Sequence, residues 1–130
     1  MALILEGIVE HGDARGRELG FPTANLALEG RPDLEGIWAA FADVDGGGRF
    51  PATVSVGRRP TYYPDTATRL VEVHLLDFEG VGDIYGRRIR VELESYLRSQ
   101  ARCASEAELI SLIAADVDAT RRLMAGLVSA

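Results

Sequence analysis

Every stretch of this chain with strand-like alternation comes before the one stretch with helical periodicity. That order argues against alternating βαβ units and a parallel sheet. It points to an antiparallel sheet or barrel closed by a C-terminal helix. Residues 69–78 form the clearest strand: Leu70, Val71, Val73, Leu75, Leu76 and Phe78 surround Glu72 and His74. Residues two apart in a strand share a face. Val71, Val73 and Leu75 therefore make the natural core face, and Glu72 and His74 share the other. Residues 87–93 alternate charged side chains with Ile89, Val91 and Leu93, as a half-buried strand does.

Residues 37–44 and 50–56 flank Asp45-Gly46-Gly47-Gly48, a strong hairpin signal. Pro51 places the start of the second strand of that pair on an edge. Residues 3–9 are a shorter strand candidate with imperfect alternation. Residues 30–33 read as a turn. Residues 57–68, 79–86 and 97–103 read as irregular connections. Ser105 and Glu108 have the spacing of a capping box and open the helix. Leu109, Ile113, Val117 and Met124 recur at helical spacing, so that face is expected to pack on the sheet. Arg121 and Arg122 near the end of the helix suit its dipole.

The longest interruption to this pattern is residues 11–26. It holds three glycines four apart, Gly12, Gly16 and Gly20, with Arg15 and Arg17 between them. Pro22, Thr23 and Asn25 follow as Pro-Thr-x-Asn. Neither periodicity is present before Leu26, so the segment reads as a long loop, and long ordered loops are commonly functional. Glycine lets backbone N–H groups approach a ligand closely. Such amides, with arginine forks beside them, suit phosphate oxygens. Thr23 and Asn25 offer hard oxygen donors of the kind Mg²⁺ accepts alongside substrate phosphates. A solvated, turn-rich loop has the same composition, and the residues alone leave both readings open.

The basic residues sharpen the choice. All 14 are arginine, so neither the lysine of a P-loop nor that of a protein kinase is available. Phosphate chemistry here has to use arginine, backbone amides and a metal ion. A net charge of −6 argues against broad nucleic-acid binding. An apolar content of 47% with 26% charged residues fits a soluble globular protein. With 130 residues, one domain covering 1–130 is expected. No apolar run is long enough to span a bilayer and no leader pattern opens the chain. The single cysteine, Cys103, has no partner for an internal disulfide. A cytoplasmic monomer without membrane or nucleic-acid partners is the expectation.

Glu72 is the first candidate for chemistry. A carboxylate on so apolar a strand is partly desolvated, which strengthens it as a general base. An outward-facing Glu72 and His74 on a wet barrel surface fits the same alternation. Asp77 is the second candidate base, at the strand end where turn aspartates are common. Asp83 and Tyr85-Gly86 have turn chemistry. Trp38 and Tyr96 are suited either to a core or to stacking on an aromatic ligand. Arg98, read as lying in a loop before the helix, is either solvated or within reach of a phosphate or flavin edge.

Together these motifs resemble the riboflavin kinase family, including the C-terminal half of bacterial riboflavin kinase/FAD synthetases. The resemblance covers nearly the whole chain. It runs through Gly7-Ile8-Val9 and His11-Gly12-Asp13, then Arg15-Gly16-Arg17 and Leu19-Gly20-Phe21-Pro22-Thr23-Ala24-Asn25-Leu26. It continues through Gly36-Ile37-Trp38-Ala39, Ser55-Val56-Gly57, Arg59-Pro60-Thr61 and Val71-Glu72-Val73-His74-Leu75-Leu76-Asp77-Phe78. Asp83-Ile84-Tyr85-Gly86 and Tyr96-Leu97-Arg98 complete it. The resemblance implies a six-stranded antiparallel Greek-key β-barrel with a C-terminal helix. It also implies transfer of the ATP γ-phosphate to the 5′-hydroxyl of riboflavin, giving FMN. By resemblance, Gly12, Arg15, Gly16, Arg17, Gly20 and Pro22 belong to the nucleotide loop, and Thr23 and Asn25 hold Mg²⁺ and phosphates. Glu72 is the catalytic base, and Tyr96, Leu97 and Arg98 belong to the flap over the flavin.

The chain departs from the family pattern after Leu97-Arg98. Gln100 stands for an acidic residue, Arg102 for lysine and Cys103 for phenylalanine, while Trp38 replaces a common tyrosine. The alternative function is a non-catalytic flavin or nucleotide-binding barrel with a degenerate flap. A purely structural interaction barrel is a third. The residues do not choose ATP over another nucleotide. They also do not tell a single-function kinase from an excised domain.

Overall fold

In the computed structural model, residues 3–10, 24–29, 34–58, 68–76, 84–100 and 103–129 are described. They form β1 (Leu3–Ile8), β2 (Ala24–Glu29), β3 (Gly36–Val44), β4 (Arg49–Arg58), β5 (Thr68–Leu75), β6 (Arg88–Arg98) and α1 (Glu106–Ser129). All strand pairs are antiparallel, in the order β1-β6-β3-β4-β5-β2. The expected mainly β architecture with a C-terminal helix is what the chain adopts. The sheet curls so that its two edge strands approach each other. There the Glu10 N–H donates to the Asn25 carbonyl at 2.8 Å, bridging the end of β1 to β2.

One face of the curled sheet makes the main core. Val71, Val73 and Leu75 of β5 point into it, joined by Val54 and Val56 of β4 and by Ile89, Val91 and Leu93 of β6. This is the face that alternation assigned to the interior. α1 covers part of the opposite face, where Met124 packs with Ala39 and Phe41 of β3, and Leu97 of β6 leans against them. β3 is therefore covered on both sides. Ala40 and Ala42 face the main core while Ala39 and Phe41 face the helix. A strand buried on both faces reads as a nearly continuous apolar run, as Ile37-Trp38-Ala39-Ala40-Phe41-Ala42 does.

The hairpin forms as its sequence predicts. Asp45 takes the left-handed conformation at φ 52° and Gly46 follows at φ 74°. Arg87 Nε donates to Asp45 Oδ2 at 2.6 Å, and this guanidinium holds the exposed carboxyl below its ordinary pKa. Ser105 caps α1 by accepting the Glu108 N–H at 3.1 Å. The return bond of the capping box runs from the Ala104 N–H to Glu108 Oε2 at 3.2 Å, one residue earlier than in the standard box.

Several boundaries differ from the sequence reading. Residues 24–29 form a complete strand, β2, where a loop was expected to end. β4 continues through Gly57 and Arg58 and is central, between β3 and β5. The edge character of Pro51 survives locally. Pairing with β5 begins at Ala52, and the Pro51 carbonyl accepts the Leu76 N–H just beyond the end of that strand. β5 begins at Thr68 and ends at Leu75.

β6 runs to Arg98, so Leu97 and Arg98 are strand and not loop. Register shifts against β3 leave Glu94 and Leu97 without a directly opposed residue. Each bulge breaks alternation, which is why the strand becomes illegible after Leu93. On α1 the buried line is Asp116, Thr120 and Met124, while Leu109, Ile113 and Val117 are half-buried. Arg121 and Arg122 lie too far from Ser129 to meet the dipole of the last turn. The turn expected at 30–33 and most of the loops expected at 57–68 and 79–86 lie outside the described residues.

Candidate active site

β2 and β5 pair so that Asn25 stands directly opposite Glu72, with Ala24 opposite Val73 and Leu26 opposite Val71. Ala24 and Leu26 face the core, so alternation turns Asn25 to the face that carries Glu72. Asn25 is only 5% exposed and Glu72 is half-buried. The strand at 24–29 is what fixes this meeting. Across β5, Glu72 also stands opposite Ser55 of β4, Ser55 opposite Ile37 of β3, and Ile37 opposite Arg98 of β6. One row on the outer face thus carries an amide, a carboxylate, a hydroxyl and a guanidinium.

The next row holds His74 opposite Thr53 and Thr53 opposite Ala39. Burial lowers the pKa of His74, and the Arg121 charge lowers it further. Thr120 donates its hydroxyl proton to the Asp116 carbonyl at 2.8 Å. Its oxygen must then accept from Thr53, 2.7 Å away, because a hydroxyl has one proton. This buried pair ties the centre of β4 to α1.

Arg98 is used for docking. Its Nε and Nη2 meet Asp116 Oδ1 and Oδ2 at 2.9 and 2.7 Å, a bidentate fork on a nearly buried carboxylate. Gln100 follows on the same face and donates to Ser55 Oγ at 2.9 Å and to the Val56 carbonyl at 3.0 Å. At the mouth of the barrel Tyr96 is 50% exposed and meets Trp38 edge-to-face, with ring centres 5.2 Å apart. Trp38 donates from Nε1 to the Leu34 carbonyl at 2.9 Å. Gly36 lies beneath this pair at φ 137°, and a Cβ there would run into the Tyr96 ring and the Arg98 carbonyl.

Among the described residues no three His, Cys, Asp or Glu side chains cluster as a metal cage would need. A nearly buried asparagine amide facing a carboxylate fits a different donor set: Mg²⁺ brought in on phosphates, with few protein oxygens and several waters. Gly12, Arg15, Gly16, Arg17, Gly20, Pro22 and Thr23 lie outside the described residues, as do Asp77 and Asp83. No helix among the described residues is long and apolar enough to cross a membrane.

Residues 2–124 match the Flavokinase family, described as riboflavin kinase. The chain belongs to the riboflavin kinase family. A bifunctional riboflavin kinase/FMN adenylyltransferase of Pseudomonas fluorescens is 43% identical over 122 residues, covering 93% of this chain and 38% of that protein. The enzyme of the same name from Bacillus subtilis is 35% identical, covering 86% and 35%. The chain thus spans little more than a third of the length of those relatives.

Among solved structures, riboflavin kinase from Trypanosoma brucei superposes with a TM-score of 0.64 at 27% identity, covering 93% of this chain and 78% of that one. A Streptococcus pneumoniae protein described as a macrolide-efflux protein superposes with a TM-score of 0.77 at 30% identity, covering 92% of this chain and 38% of that one.

Of the residues that sequence singled out, the fold brings Asn25 and Glu72 together. It sets Arg98 at the far end of the Glu72 row, while Tyr96 stands opposite Trp38 and Leu97 leans on the helix side of β3. Ser55 and Asp116 were missed as site-shaping residues. Ser55 lay inside a quoted motif without a role. The signal for Asp116 was its i,i+4 spacing to Thr120 and i,i+8 spacing to Met124, a stripe that turns polar residues inward.

Proposed function

We propose that this domain, residues 1–130, transfers the γ-phosphoryl group of ATP to the 5′-hydroxyl of riboflavin, yielding FMN and ADP. The observation that carries this reading is Asn25, the last residue of the Pro-Thr-x-Asn motif, opposite Glu72 on the neighbouring strand. Glu72 accepts the proton of the flavin alcohol as the new O–P bond forms. The bond from the γ-phosphorus to the β–γ bridging oxygen breaks, and ADP leaves with that electron pair. General-base help of this kind is worth about 10²–10⁴-fold. Thr23 and Asn25 are the residues assigned to Mg²⁺, which when bound spreads the charge of the transferring phosphoryl group. Gly12, Arg15, Gly16, Arg17, Gly20 and Pro22 are assigned to the phosphates.

The flavin is assigned to the mouth of the barrel, at Tyr96, Leu97 and Arg98. The exposed Tyr96 ring supports this, since an edge-fixed aromatic is a ready surface for an isoalloxazine. Positioning of the two substrates supplies the rest of the rate. Incubation with riboflavin and MgATP, followed by chromatography for FMN, tests the reading. Formation of FMN that stops when the divalent ion is chelated is expected. Flavin binding without FMN, with ATP or with CTP, would instead favour the non-catalytic barrel.

A further inference from the structure

We infer that Ser55 is a positioning residue for Glu72, set in its working orientation by Gln100. This rests on the reading of Glu72 as the base. Ser55 and Glu72 are direct partners in the β4–β5 register. Side chains so paired project from one face with Cβ atoms about 4.5–5.5 Å apart. The Ser55 oxygen already accepts the Gln100 amide at 2.9 Å. A serine hydroxyl has one proton to give, and Gln100 fills a lone pair without taking it. That proton is then available to the facing carboxylate, which only accepts when ionised.

Two further features support this arrangement. Gln100 Nε2 also lies 3.0 Å from the Val56 carbonyl. A carbonyl cannot donate, so the atom facing it must be the amide nitrogen, and the orientation of Gln100 is forced. Next, a Cβ at Gly57 would stand 3.1 Å from that nitrogen. Glycine leaves the side of β4 open for the amide. A carboxylate at position 100 could donate to neither the Ser55 oxygen nor the Val56 carbonyl. Gln100, one of the departures from the family pattern, is thus what allows this chain to orient Ser55.

The test is a double-mutant cycle read as kcat and as riboflavin KM. Ser55→Ala is expected to lower kcat about tenfold, the loss of one hydrogen bond to a charged group, with KM within twofold of the parent. Ser55→Thr, which keeps the hydroxyl and suits a strand, is expected to restore most of the rate. Gln100→Glu, on an exposed segment, is expected to lower kcat in the same sense and keeps the test open if Ser55→Ala folds poorly. In a Glu72→Gln background the Ser55→Ala penalty is expected to vanish, because residues acting as a unit are not additive. The same penalty in both backgrounds, or no penalty in the parent, overturns the inference. Undiminished turnover of Glu72→Gln alone is a different result, and it removes Glu72 from the base role.

Discussion

Asn25 and Glu72 face each other across the β2–β5 pair, one nearly buried and the other half-buried, on the side of the sheet turned away from the core. A base so placed should matter for the chemical step more than for binding. Glu72→Gln is expected to keep riboflavin affinity, measured by quenching of flavin fluorescence. It is expected to cut turnover by about 10²–10⁴-fold. Turnover within a factor of three of the parent would exclude that role.

Thr23→Ala and Asn25→Ala address the other half of the pair. Each is expected to weaken binding of MgADP while leaving riboflavin binding alone. Titration calorimetry with and without Mg²⁺ measures this. Equal affinities in parent and variants would take both residues out of the metal-nucleotide site.

The Arg98–Asp116 fork predicts an asymmetry. Asp116 is the more buried partner. Arg98→Leu leaves a nearly buried carboxylate unpaired and is expected to cost about 3 kcal/mol of stability. Asp116→Ala lets Arg98 turn to water and is expected to cost about 1–2 kcal/mol. Urea unfolding of the two variants decides the order. Arg98 can touch a flavin only by leaving Asp116, so a change in riboflavin KM in Asp116→Ala would show that the fork competes with the ligand.

His74 gives a pH dependence. Its pKa in the folded chain lies below the ordinary value of 6.5, first through burial and then through Arg121. Between the folded and unfolded values the unfolded chain binds the extra proton, so stability falls as pH drops through that window. Below the folded value the loss is complete. His74→Gln is expected to flatten the fall in stability that sets in as pH drops through the ordinary histidine value. Parallel curves for parent and variant would clear His74 of the effect.

Gly36→Ala tests the mouth of the barrel. The left-handed backbone and the Tyr96 ring both oppose a Cβ there. A loss of at least about 2 kcal/mol is expected. The Trp38 emission spectrum should change with it, since Trp38 and Tyr96 are in edge contact. An unchanged melting temperature would mean that the ring moves aside freely.

The legible parts of the fold were those with one face wet and one face dry. Val71, Val73 and Leu75 declared their face, as did Ile89, Val91 and Leu93. The glycine hairpin after Val44 and the Ser105 cap needed only local chemistry. Legibility failed where alternation was broken or doubly covered. Ala24–Glu29 was obscured by its motif neighbours and the bulges at Glu94 and Leu97 hid the end of β6 beyond Leu93. The inward stripe of α1 was mistaken because two of its three members are polar, and their partners, Thr53 and Arg98, are distant in sequence. Asn25 and Glu72 could be named from motifs. Their apposition could not, since it depends on a register between strands distant in sequence, with two other strands between them in the chain.

The bond from Glu10 to the Asn25 carbonyl joins the two free margins of the sheet at the same residue whose amide faces Glu72. A ligand that holds the Asn25 side chain is therefore expected to steady this seam as well, by binding the joined form. Deuterium uptake at the Glu10 amide should slow in proportion to nucleotide bound, making a backbone proton in the wall a gauge of cargo.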